Sequence, residues 1–149
     1  MRLKKIIDTN NLTIYSPEKT ELKERPIVNE DISAGFPSPA EDFKEVRISL
    51  DKELVKNEEA TFYARVRGNS MIDANIEDGD LLVIDRSIET RNGKIAVCMI
   101  DGEFTIKRLK VEKDCVYLMP ENKNYKPIKV TEGNDLIVWG IVIYVIKKV

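Results

Sequence analysis

The sequence predicts a mainly β protein, a small domain of short, mostly antiparallel strands with an extended N-terminal arm. Two observations carry this. From residue 46 onward, short runs rich in valine and isoleucine alternate with polar residues and are separated by turn residues. Before residue 46, Pro17, Pro26, Pro37 and Pro39 interrupt the chain, and no helical or strand period lasts beyond a few residues. The expected division is an arm over 1–45 and a folded domain over 46–149.

Within the arm, Leu12 to Tyr15 reads as a short strand. In the domain, Val46, Ile48 and Leu50 alternate with polar residues, and Asp51 to Asn57 reads as one or two helical turns. Phe62, Ala64 and Val66 then alternate with Tyr63, Arg65 and Arg67. Further strand runs are expected over Asp80–Asp85, Gly93–Ile100, Glu103–Lys110, Val116–Met119, Ile128–Val130 and Leu136–Ile146. Asp101-Gly102 lies between two of them, a strong signal for a two-residue hairpin turn.

Composition excludes several function classes. With 24 basic and 26 acidic side chains, the chain lacks the basic excess of a bulk nucleic-acid binder. Residues 1–34 carry six basic and six acidic side chains, and their prolines leave no room for a helix-turn-helix domain. The longest apolar run, Leu136 to Ile146, falls far short of the ~20 residues of a membrane helix. No signal peptide is evident, so a cytoplasmic location is expected. Cys98 and Cys115 lie in apolar runs without metal-ligand spacing and read as small buried hydrophobes. No metal or cofactor is expected. The chain has no histidine, so a Ser-His-Asp triad, a Cys-His pair and a His-ligated metal are all excluded. A hydrolase built on this chain needs Lys, Asp, Glu or water as its base.

Three segments carry candidate chemistry. In RGNSMID, Arg67 to Asp73, a serine follows a strand end within two residues of a glycine, where backbone N–H groups can face an oxyanion. An ordinary turn is the plainer reading of that segment alone. In EFTIKRL, Glu103 to Leu109, Lys107 sits inside an apolar strand run, and an exposed lysine is again the plainer reading. Strand parity does not decide between Lys107 and Arg108, because each shares its face with apolar residues. In AGFPSPAEDF, Ala34 to Phe43, a pair of small residues precedes two prolines that hold the chain extended. Small residues allow close backbone approach, and peptidases bind extended segments. A plain linker has the same appearance.

Taken together and in this order, AGFPSP, GNSMID, EDGDLLVID, DGEFTIKRL and MPENKNYKPI resemble the LexA/UmuD family of self-cleaving Ser-Lys peptidases (S24), and its UmuD branch most closely. The resemblance covers about residues 34 to 149. It implies Ser70 as nucleophile, Lys107 as base and Ala34–Gly35 as the bond cleaved. The 34 residues ahead of that bond are fewer than a repressor's DNA-binding domain needs, which favours the UmuD branch. Ala34 is a departure, since UmuD proteins often carry Cys there, whereas LexA-type repressors have Ala-Gly. The resemblance further implies a homodimer, cleavage stimulated by the RecA filament on single-stranded DNA during the SOS response, and a shortened form that partners a UmuC-type Y-family polymerase in translesion synthesis.

The chemistry suits these residue types. A serine hydroxyl is a weak nucleophile until a base takes its proton, and lysine is a base only when neutral. An ordinary lysine titrates near ~10.4, so burial in apolar surroundings is needed to hold it neutral. The backbone N–H groups of Ser70 and Asn69 are the expected oxyanion donors. The main rival reading is a binding module that regulates a polymerase without catalysis. A signal peptidase, which also pairs a Ser-Met run with lysine, would need a membrane anchor, and a truncated repressor would need a DNA-binding domain.

Overall fold

A computed structural model describes residues 2–18, 23–27 and 46–149. Its strands are β1 (Arg2–Asp8), β2 (Leu12–Glu18), β3 (Arg25–Ile27), β4 (Val46–Ile48), β5 (Thr61–Val66), β6 (Leu81–Asp85), β7 (Ile95–Ile100), β8 (Glu103–Val111), β9 (Val116–Met119), β10 (Ile128–Val130) and β11 (Leu136–Ile146). One short helix, α1 (Leu50–Leu54), and two single 3₁₀ turns are the helical elements among the described residues. Among those residues no helix is long and apolar enough to cross a membrane.

The fold is mainly β and antiparallel throughout, as the alternating runs predict. Nine strands form one sheet in the order β1-β2-β5-β6-β11-β7-β8-β9-β10, while β3 and β4 pair separately. The Asp101-Gly102 turn forms as expected between β7 and β8. Both residues have positive φ, 48° and 82°, as a two-residue turn matched to strand twist requires.

β11 is the seam of the sheet. Its first half, Leu136–Ile141, pairs with β7, and its second half, Ile141–Ile146, pairs with β6. The register shifts between Val138 and Gly140 on one side and between Val142 and Tyr144 on the other. Such bulges bend a strand and increase its twist. The two halves of the sheet thereby face each other. Leu12 and Ile14 of β2, Ala64 and Val66 of β5, and Leu82 and Ile84 of β6 share one core with Val97 of β7 and Ile106 of β8. A second cluster, Ala96, Cys98, Leu109, Leu118 and Ile141, packs on the opposite face of β7–β9.

The beginning of the chain is more ordered than an arm resting on the body. Residues 2–18 form a hairpin inside the main sheet, with β2 pairing along β5 from Leu12↔Val66 to Tyr15↔Tyr63. The short strand expected at Leu12–Tyr15 extends to Glu18. Its cause is the two-residue period of Leu12 and Ile14, both fully buried. Pro17 sits near the strand end and pairs only with the edge strand β1. Ala34 and Gly35 lie outside the described residues. Both cysteines are free thiols, with Cys98 buried as expected and Cys115 only partly so.

Candidate active site

Ser70 lies just past the end of β5, in a loop whose shape follows from its sequence. Gly68 takes φ +90°, a conformation that favours glycine, and its N–H donates to Asp78 Oδ1 at 2.8 Å. Met71 and Ile76 drop their side chains into the core, at 2% and 0% exposure, and anchor the loop on both sides of a 3₁₀ turn over Ile72–Ala74. Ser70 itself remains half-buried at the surface of this anchored segment.

The segment after β9 grips the loop from the other side. The Glu121 N–H donates to the Ser70 carbonyl at 2.9 Å, and the Asp73 N–H donates to the Glu121 carbonyl at 2.7 Å. Asn122 Nδ2 donates to the Asn69 carbonyl at 2.8 Å. The Glu121 carboxylate is held by Arg108 Nε, and Arg108 also donates to the Gly93 carbonyl. The residue next to Lys107 on β8 thus also braces the Ser70 loop. Sequence reasoning did not single out Glu121 and Asn122. Their signal was present only as the MPENKNY run.

Lys107 occupies the middle of β8, paired with Ala96 of β7. It is 7% exposed. Its Nζ lies 3.1 Å from Ser70 Oγ, 2.7 Å from Thr105 Oγ1 and 3.0 Å from the Ile106 carbonyl oxygen. An ammonium would donate to all three. A neutral amine fits equally well, with two N–H groups for Thr105 and Ile106 and its lone pair toward the Ser70 hydroxyl. Burial lowers the pKa of Lys107 from the ordinary lysine value. Only a Cys98 thiolate would act in the opposite sense, and more weakly. Burial pushes that thiol up to about 12, so it is uncharged at neutral pH and offers Lys107 no counter-ion.

Of the residues expected from sequence, Ser70 and Lys107 meet at hydrogen-bond distance. Asn69 is exposed beside them. The backbone N–H groups of Asn69 and Ser70 donate to no partner among the described residues. A small cleft opens at Ser70 between Val66, Gly68 and Met71 on one side and Thr105 and Ile106 on the other. Asn11, from the turn between β1 and β2, completes its wall and was not foreseen as a site residue. Its Nδ2 donates to the Phe104 carbonyl at 2.7 Å, and its carbonyl accepts the Arg67 N–H at 2.9 Å.

Comparison with known proteins gives a consistent result. A family model described as Peptidase S24-like matches residues 26–143. Protein MucA of Salmonella typhimurium is 41% identical over 119 residues, which is 78% of this chain and 80% of that protein. Protein SamA of Salmonella typhimurium (strain LT2) is 35% identical over 138 residues, 92% of this chain and 96% of its own. The LexA repressor of Clostridium kluyveri is 40% identical over 119 residues, covering 80% of this chain but 58% of the repressor. The chain belongs to the Peptidase S24-like family, that of the self-cleaving LexA/UmuD proteins, and is a UmuD-type member of it.

Proposed function

We propose that this chain is a self-cleaving serine peptidase in which Ser70 attacks the Ala34–Gly35 bond and Lys107 is the base. One observation carries the reading: a lysine buried to 7% exposure sits with its Nζ 3.1 Å from the hydroxyl of a serine in an anchored loop. A buried lysine without a carboxylate partner is disfavoured as a cation, and in that state its lone pair can take the serine proton. Thr105 and Ile106 fix the amine through its two remaining N–H groups, so the lone pair points at Ser70.

In the proposed reaction the neutral Lys107 accepts the Ser70 proton as Oγ adds to the Ala34 carbonyl carbon. The developing oxyanion is met by the N–H groups of Ser70 and Asn69. The C–N bond then breaks, and protonated Lys107 gives its proton to the Gly35 nitrogen. Water, deprotonated by the same amine, hydrolyses the ester between Ala34 and Ser70. The products are residues 1–34 and 35–149.

We place this peptidase in the SOS response, in the cytoplasm and as a homodimer. Family membership and the UmuD-type motifs support that context. In it, the segment containing Ala34–Gly35 occupies the cleft only in a fraction of molecules, and the RecA filament on single-stranded DNA raises that fraction. The shortened form then partners a UmuC-type Y-family polymerase. No cofactor is involved. Incubation of the purified protein at alkaline pH, read by intact mass, tests the chemistry. The fragment starting at Gly35 should accumulate, and should be lost in Ser70→Ala and Lys107→Ala. A wild-type chain that stays whole, with or without RecA filaments, would leave the regulatory binding module as the correct reading.

A further inference from the structure

The position of the N-terminal hairpin has a consequence for what cleavage produces. Residues 1–34 are the part of the chain that a cut at Ala34–Gly35 separates from the domain. Yet Leu12 and Ile14 are 0% exposed and Thr13 is 1% exposed. Leu12 and Ile14 share a core with Ala64, Val66, Leu82 and Ile84 on their own side and with Val97 and Ile106 across it. Four backbone pairs join β2 to β5, from Leu12↔Val66 to Tyr15↔Tyr63. Without β2, β5 would become an edge strand with unpaired backbone groups, and the core would open to water.

The turn of the hairpin adds side-chain ties to the site. Arg67, three residues before Ser70, donates through Nη1 to the Thr9 carbonyl at 2.6 Å and pairs through Nη2 with Asp8 at 2.9 Å. The Arg67 N–H donates to the Asn11 carbonyl, and Asn11 Nδ2 reaches across to the Phe104 carbonyl beside Thr105. Asn11 therefore connects the nucleophile-bearing and lysine-bearing strands, and it lines the cleft at Ser70. Downstream, β3 pairs with β4, so residues 28–45 connect two strands that are paired with each other.

From these contacts we infer that the N-terminal fragment is not released: cutting between residues 28 and 45 yields a nicked two-chain protein in which β1 and β2 remain in the sheet. Hydrolysis consumes one water and creates a carboxylate at Ala34 and an amine at Gly35, and it touches none of the contacts that hold β2. The inference takes its biological bond from the proposed self-cleavage, but the retention follows from the fold. What the cut changes is then the freedom of the new ends near Ala34 and Gly35. The active-site wall at Asn11 stays in place.

The test separates retention from self-cleavage. A recognition sequence for a specific external protease is placed within residues 37–43 of the full chain, on the Ser70→Ala background. After complete digestion, confirmed under denaturing conditions, the protein is examined by size-exclusion chromatography and native mass spectrometry. Both fragments are expected in one species, with the mass of the uncut protein plus one water for each chain cut. The N-terminal peptide that ends at the external cut migrating apart from the remainder, whether that remainder is folded or aggregated, overturns the inference. In the same background, Leu12→Ala or Ile14→Ala should leave the uncut chain folded by circular dichroism and weaken retention after cutting by at least ~30-fold. Retention unchanged by both substitutions would equally overturn it. Self-digestion of the chain with Ser70 intact is read in parallel. Its absence, both at alkaline pH and with RecA filaments, would refute the proposed peptidase while the external cut still decides retention.

Discussion

Replacing Gly140 with alanine adds one methyl group at the point where β11 changes partners. The backbone there lies outside the left-handed region, so alanine is conformationally acceptable, and the cost comes from space. A Cβ on residue 140 would stand 2.5 Å from Ile84 Cγ2 and 3.1 Å from Arg86 Cγ. Ile84 is fully buried in the shared core and cannot rotate away without disturbing its neighbours. Arg86 is constrained too, since its Nε donates to the Trp139 carbonyl at 2.8 Å and its guanidinium lies 4.4 Å from the centre of the Trp139 ring. Overpacking of this kind costs about 1–3 kcal/mol. At about 2–4 °C per kcal/mol for a protein of this size, the melting temperature should fall by roughly 2–12 °C. The same displacement should separate β6 from β7 and loosen the approach of Ser70 to Lys107, so self-cleavage should slow as well. Thermal unfolding by circular dichroism, with Gly133→Ala as control, reads the first effect. At Gly133 the nearest atom to an added Cβ is Thr131 Oγ1 at 3.9 Å, so that variant should melt close to the parent. Equal melting temperatures for Gly140→Ala and Gly133→Ala would refute the reasoning.

Other outcomes follow from the site. Lys107→Ala should lower formation of the 35–149 fragment by roughly 10²–10⁴-fold without loss of the β-rich circular dichroism spectrum; a normal rate would exclude Lys107 as base. In the proposed mechanism the neutral amine is the working form, and burial lowers its pKa, so the cleavage rate should rise with pH through that lowered value and level off below the pH at which exposed lysines titrate. A rate independent of pH from neutral to alkaline conditions would contradict a lysine base. Glu121→Ala keeps the backbone bonds to the Ser70 loop but removes the carboxylate contact to Arg108 that holds them in place; it should slow cleavage roughly 10–100-fold yet leave the pH dependence in place, because that carboxylate does not touch Lys107. Thiol labelling of the folded protein near pH 8 should modify Cys115 and spare Cys98, whose thiol is buried and pushed up to about 12; equal labelling by mass spectrometry would contradict that.

The strands of the domain were legible because most are covered on one face, and the two-residue period records which face. The period failed where a strand is covered on both. β8 places Ile106 in one core and Leu109 in the other, so an apolar neighbour on either side of Lys107 carries no information about its direction. β11 is apolar throughout for a related reason, since its halves serve different neighbours. The lysine and serine were found by motif order, whereas their contact is a long-range fact that no local pattern encodes. β1 escaped notice because it is an edge strand whose alternation is diluted by Lys4 and Lys5. Asn11 was hidden in a plain Asn-Asn turn, and its reach to Phe104 spans 93 positions of sequence.

The seam formed by β11 also sets an order of events during synthesis. Every other strand precedes β11 in the chain, including β5, which leads to Ser70, and β8, which carries Lys107. β11 lies between the two half-sheets that bear them, and direct pairing of β6 with β7 is absent from the sheet. A growing chain on the ribosome can form the β5–β6 and β7–β8 hairpins as each emerges, but it lacks the strand that joins them. The serine and lysine are brought into register only once residues 136–146 are free to insert. Assembly of the site in an unfinished chain is thereby deferred: β11 brings its two halves together, and a product truncated before β11 would lack the Ser70–Lys107 contact as well as stability.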